Sequence, residues 1–147
     1  MSPIGPRHAA CVDRLTRLLS RIAAHSAVVR VQNPLTLESR AEPQPDLALL
    51  RLPIERYAEA HPRPDDVLLV IEVADASAEY DRDVKIPLYA RAAIPEAWLV
   101  HLPGDMIEVY RRPNPHGYAD VRTARRDDTL TPLALEGIAL EVSHILG

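Results

Sequence analysis

Glu72 is a charged residue inside the most apolar run of the chain, VLLVIEVA from Val67 to Ala74. An ionised carboxylate in a water-poor strand is strongly disfavoured unless a cation or hydrogen-bond donors neutralise it. A second acid, Asp46, opens another short apolar segment, DLALLRLP, directly after Pro45. If the two segments are neighbouring strands, both carboxylates converge on one point at the edge of a sheet. Two hard oxygen ligands with room for water describe a magnesium site, with manganese as the second candidate, because magnesium keeps much of its hydration and usually takes one or two protein carboxylates. An ion held there would activate water and polarise a phosphoryl oxygen, the chemistry of metal-dependent phosphodiester hydrolysis. Lys85 follows Glu72 by thirteen residues and is the only lysine in a chain with sixteen arginines. Its ammonium would add positive charge where the transition state gains negative charge. The plainer reading has Glu72 at the strand's exit, bonded to an arginine or to backbone donors, with Asp46 capping a turn. Spacing alone leaves both open.

The elements that must position these groups follow from periodicity. From His8 to Ala24, the residues Cys11, Val12, Leu15, Leu18, Leu19 and Ile22 recur at helical spacing, with Arg14, Arg17 and Arg21 aligned on another face. SAVVRVQNP reads as a strand ended by Asn33-Pro34, followed by LTLES and a proline-rich connection through Pro45; DLALLRLP is a short strand closed by Pro53. Near-continuous Val, Ile and Leu over residues 67–74 implies a strand covered on both faces, hence central in a sheet. Residues 78–92 favour helix and set Asp81, Lys85 and Tyr89 four apart on one face. Pro87 lacks a backbone donor and disfavours helical dihedrals at Ile86, which predicts a kink or a late helix start and leaves the direction of Lys85 open. AWLVHL and DMIEVYRRP alternate about the Pro103-Gly104 turn and read as a hairpin, GYADVRTARR as a further strand, and the C-terminal residues as a short strand with a closing helical turn. Helix, strands, helix, strands in that order predicts an α/β (α+β) protein: a mixed sheet flanked by helices.

Composition narrows the function classes. The 147 residues fit one domain over 1–147, and a net charge of -4 argues against a wholesale polyanion binder of the basic-domain type. The lone Cys11 permits no internal disulfide and reads as a small buried hydrophobe. No signal peptide and no apolar run of membrane-spanning length occur, so the expectation is a soluble cytoplasmic protein with no membrane partner. There is no glycine-rich phosphate loop and no Gly-x-Ser-x-Gly elbow, and His61, His101, His116 and His144 show no zinc-like pairing. Trp98 reads as core. Arg111, Arg112, Arg122, Arg125 and Arg126 form a phosphate-facing patch if their strands adjoin, although solvated arginines near Asp127 and Asp128 explain them equally.

The wording of several segments is more specific than their spacing. PDLALL at 45–50, LLVIEVADAS at 68–77, DRDVKIPLYARAAIPEAWLV at 81–100 and IEVYRR at 107–112 together resemble the Uma2 family of the PD-(D/E)XK nuclease superfamily, in motif order. The resemblance runs from about His8 to the C-terminus. It implies a restriction-endonuclease-like core, a magnesium- or manganese-dependent endonuclease acting on nucleic acid, DNA first, with Asp46 and Glu72 as metal-binding acids. The superfamily's usual lysine, two residues beyond the second acid, falls on Ala74; the resemblance moves that role to Lys85, with Asp81 one turn before it to orient the amine. His8 matches a histidine common in the family, for which a helix-capping or surface role is the default. Three departures stand out: His101 replaces an aspartate frequent after the Trp-Leu-Val triplet, Pro87 interrupts a helix usually unbroken, and an N-terminal segment with a glutamate and a turn glycine is missing ahead of SPIGPRH. The last would remove one or two strands from a sheet edge and favours a homodimer through that edge. The rival expectation is a catalytically degenerate nucleic-acid-binding or dimerisation module on the same fold.

Overall fold

The computed structural model describes residues 4–37 and 41–147, so the end of the LTLES segment lies outside the described residues. Its elements run α1 (Pro6–Ile22), β1 (Val28–Val31), β2 (Leu47–Leu50), β3 (Val67–Ala74), α2 (Ala78–Tyr80), a π-helical turn (Asp81–Lys85), α3 (Ile86–Arg91), β4 (Glu96–His101), β5 (Met106–Asn114), β6 (Gly117–Arg125), β7 (Thr129–Leu130), β8 (Leu140–Glu141) and α4 (Val142–Leu146). Six strands form one mixed sheet in the order β1-β2-β3-β4-β5-β6, and β7 pairs with β8 separately. Only β3 and β4 run parallel. Parallel neighbours need a crossover, and the helical stretch from α2 to α3 supplies it.

Strand alternation divides the core in two. Leu47, Leu49, Leu69, Ile71, Val73, Trp98 and Val100 pack against Cys11, Val12, Leu15 and Leu19 of α1 and against Val142 and Ile145 of α4. Ala48, Leu50, Val70, Ala74, Ala97 and Leu99 face the other way, onto Ile86, Tyr89 and Ile94. β3 is therefore covered on both faces, which is why its sequence lacks polar alternation. Trp98 and Cys11 are fully buried, as their settings imply. Glu72 falls on the α3 face with Val70 and Ala74, by the two-residue period of the strand.

Pro87 behaves differently from the expectation. Ile86 adopts helical dihedrals (φ -60°, ψ -46°) and the backbone stays helical from Ala78 to Arg91. Pro87 sits in the first turn of α3, where a missing N–H costs little, and the preceding turn widens so that the Ile86 N–H reaches the carbonyl of Asp81. The strain is taken up by a π-helical turn rather than by a break.

Candidate active site

Pro45 has no N–H to give to a ladder, and β2 begins just after Asp46. Leu47 pairs with Ile71, so Asp46 stands opposite Glu72 one step beyond that pair, where antiparallel neighbours project to the same face. The Asp46 side chain then does what the strand's backbone no longer does: its Oδ2 accepts the Val73 N–H at 2.7 Å. The same oxygen lies 3.1 Å from His8 Nε2 on the first turn of α1. The other ring nitrogen, Nδ1, is buried without a partner among the described residues. His8 is thus neither a helix cap nor a surface residue; it meets the candidate site.

Glu72 is 1 % exposed. Tyr89 donates its hydroxyl to Glu72 Oε2 at 2.5 Å, and Lys85 Nζ stands 3.5 Å from Oε1. Lys85 is also 3.7 Å from Asp81 Oδ1, while Ser77 donates to Asp81 Oδ2 at 3.0 Å. Asp46, Glu72, Asp81 and Lys85 therefore occupy one neighbourhood, and the π-helical turn aims Lys85 at the sheet. The spacing of Asp81, Lys85 and Tyr89 signalled the shared face; nothing in the sequence signalled that Tyr89 would hold Glu72 or that Ser77 would hold Asp81.

Burial sets the electrostatics. Desolvation, with smaller contributions from Asp46 and Asp81, pushes the Glu72 carboxyl up to about 8 against the opposing pull of Lys85 and Tyr89. Burial also raises Asp81, partly offset by Lys85 and Ser77. For Lys85, burial works against the ammonium but Glu72, Asp81 and Asp46 outweigh it and raise the amine. The larger effect falls on the carboxyl, because Glu72 is sealed from water while Lys85 is 30 % exposed and stays hydrated. Near neutral pH the cluster is an ammonium beside a proton-holding acid.

Other sequence candidates lie elsewhere. β5 and β6 do adjoin, yet Arg111 is bound to Glu96 and to the Thr131 carbonyl, and Arg126 to Asp105 and the Gly147 carbonyl. Arg122 pairs with Asp120 at the surface. Arg111, Arg122 and Arg126 thus each stand in an ion pair, Arg111 as a brace and the other two toward solvent. His101 stands in register with Ala74, the empty lysine position, and its ring packs so closely on Gly104 that a larger residue there would have to displace it.

A family model described as "Uma2: Putative restriction endonuclease" covers residues 1–143. The chain belongs to the Uma2 family. The fold of this Uma2 chain is similar to that of a protein from Anabaena variabilis described as a putative nuclease belonging to DUF820, with a TM-score of 0.75 over 99 % of this chain and 83 % of that one at 14 % identity. A search of curated proteins finds no match. The Uma2 chain is thus a nuclease-family protein with a six-stranded mixed sheet between helices, and among the described residues no helix is long and apolar enough to cross a membrane.

Proposed function

We propose that this Uma2 protein is a divalent-cation-dependent endonuclease that hydrolyses phosphodiester bonds in DNA, with Asp46 and Glu72 as the cation's ligands and Lys85 at the scissile phosphate. The observation that carries the reading is the juxtaposition of two acids from adjacent strands with the only lysine of the chain, 3.5 Å from the buried one. The donor set fits magnesium or manganese. Among the described residues Asp46 Oδ1 accepts no hydrogen bond, and Glu72 Oε1 meets the Lys85 ammonium at 3.5 Å. Among the described residues no three His, Cys, Asp or Glu side chains are placed to hold an ion together, so an ion here would have two protein carboxylates at most and would take its other ligands from water.

When bound, the ion supplies an activated water and a counter-charge to the phosphoryl oxygens. The chain's own residues do the rest. Tyr89 fixes Glu72 by its Oε2, Asp81 keeps Lys85 turned toward the sheet, and the ammonium stabilises negative charge developing on the phosphate. Glu72 has to release its proton to take the ion, so cation affinity rises with pH up to about 8. Plasmid cleavage with magnesium or manganese tests the reading: Asp46→Ala and Glu72→Ala abolish it, and undiminished cleavage in both variants rejects the assignment. Calorimetric titration separates the degenerate-module alternative, which the sparse two-acid donor set favours and which requires that no cation binding depend on Glu72.

Restriction-like cleavage of both strands calls for two sites, and β1 supplies a means of pairing. It is an outer strand of the sheet, partnered on one side by β2, and such edges invite a second chain. A homodimer through β1 is the assembly proposed here; a monomer mass in concentrated solution scattering overturns it.

A further inference from the structure

A second ion pair crosses from the same helical turn to the sheet, and the roles assigned above leave it unused. Arg82 Nε donates to Glu108 Oε1 at 3.0 Å and Oε2 at 3.2 Å, and its Nη2 closes on Oε1 as well. Tyr110 donates its hydroxyl to Glu108 Oε2 at 2.9 Å. Glu72 pairs in register with Leu99 and Leu99 with Glu108, so the three form one row across β3, β4 and β5. Residues in such a row share a face, which sets the two carboxylate-bearing backbones about 10 Å apart, two strand spacings. The buried Leu99 fills the gap between them. The π-helical turn bridges this row. Arg82 near its start is anchored on Glu108, and Lys85 at its end meets Glu72.

A π-helical turn is less favourable than an α-helical one and persists where the surroundings hold it. Here Pro87 has no N–H to return to the preceding carbonyls, so the backbone alone defines the turn weakly. The Lys85 contacts, at 3.5 and 3.7 Å, are too long to fix it. A guanidinium fork on a carboxylate fixes both distance and rotation. We propose that Arg82 and Glu108 are a positioning pair, which pins the turn against β5 so that the Lys85 ammonium stands at Glu72 and Asp81. On the nuclease reading, from which this role takes its purpose, the same pinning sets Lys85 at the scissile phosphate; neither Arg82 nor Glu108 touches substrate.

Lys85 is the only lysine, so protein grown with isotope-labelled lysine gives a single side-chain NMR signal that reports its surroundings without turnover. Two variants carry the test. Glu108→Gln keeps the Tyr110 contact and leaves Arg82, already 38 % exposed, free to turn to water, so the fold survives. Arg82→Met removes the fork from the other side. In both, the Lys85 signal moves toward its position in the urea-unfolded chain, and the double variant moves it no further than either single one. Folded variants with a lowered Tm but a wild-type Lys85 signal overturn the proposal, since the pair then braces the fold only. If Arg82→Met does not fold, Glu108→Gln decides alone by the same criterion. In a cleavage assay both variants lower kcat roughly 10- to 100-fold and leave KM within about twofold, the pattern of a misplaced catalytic group. A displaced Lys85 signal combined with no cleavage by the wild-type protein upholds the positioning pair and removes only the nuclease reading.

Discussion

Glu96 and Glu72 are both buried glutamates on adjacent parallel strands, and they are built for opposite purposes. Glu96, on the α1 face, has both oxygens occupied: Oε2 accepts from Trp98 Nε1 at 2.9 Å and from Arg111 Nε at 2.8 Å, and Oε1 accepts the Leu133 N–H at 2.9 Å. Among the described residues Glu72, on the α3 face, has one strong donor, Tyr89, and a more distant ammonium. Full satisfaction makes Glu96 a brace joining β4, β5 and the segment before β8. Burial raises the Glu72 carboxyl against the pull of Lys85 and Tyr89, and its Oε1 faces the cluster. The lesson is that burial of a carboxylate says little about function; the number of donors provided for it says much.

That contrast can be broken by mutation. Glu96→Ala strands a guanidinium, an indole N–H and a backbone N–H, and we expect a loss of about 3–5 kcal/mol in urea unfolding. A loss below about 1 kcal/mol would place Glu96 in the same class as Glu72.

Glu72→Gln behaves oppositely. The folded carboxyl, near 8, lies above its unfolded value of 4.5, so between those pH values the folded protein holds a proton that the unfolded chain has released. Wild-type stability therefore falls as pH rises through this window and levels off above it. In chelator, Glu72→Gln is expected to match wild type near pH 4 and to exceed it at pH 9 by an amount on the order of a few kcal/mol. Denaturation curves at the two pH values measure it, and parallel pH profiles would refute it.

The smallest effect sharpens the comparison. Tyr89→Phe removes the hydroxyl that donates to Glu72 and costs about 1 kcal/mol. Because that hydrogen bond pulls the Glu72 carboxyl down, its loss moves the pH window of the stability decline upward. The pH profile of Tyr89→Phe, set beside that of wild type, checks the direction.

Much of this arrangement was legible in the chain. The unbroken Val, Ile and Leu of residues 67–74 announced a strand covered on both sides, and Glu72 stood out within it as a charged residue at a buried position. The spacing of Asp81, Lys85 and Tyr89 gave their common side. Pro87 misled, because a rule about helical dihedrals cannot foresee that a neighbouring turn will widen to absorb the ring. His8 was undervalued for a similar reason: a residue's contact across 38 positions leaves no local trace. The arginines of β5 and β6 looked like one group by proximity in sequence, and their assignment to Glu96, Asp105 and Asp120 came from strand register and folding of the C-terminal segment.

The sequence alone determined which residues could do chemistry and which strand would be central, since period and apolarity are properties of neighbouring positions. Only the tertiary structure decided that Glu72 meets Tyr89 and Lys85 while Glu96 meets Trp98, Arg111 and the Leu133 N–H, and that Arg82 of the turn bearing Lys85 reaches Glu108. The reason is that hydrogen-bonding capacity is filled by groups brought from distant positions, through strand register and a crossover whose geometry no local pattern contains.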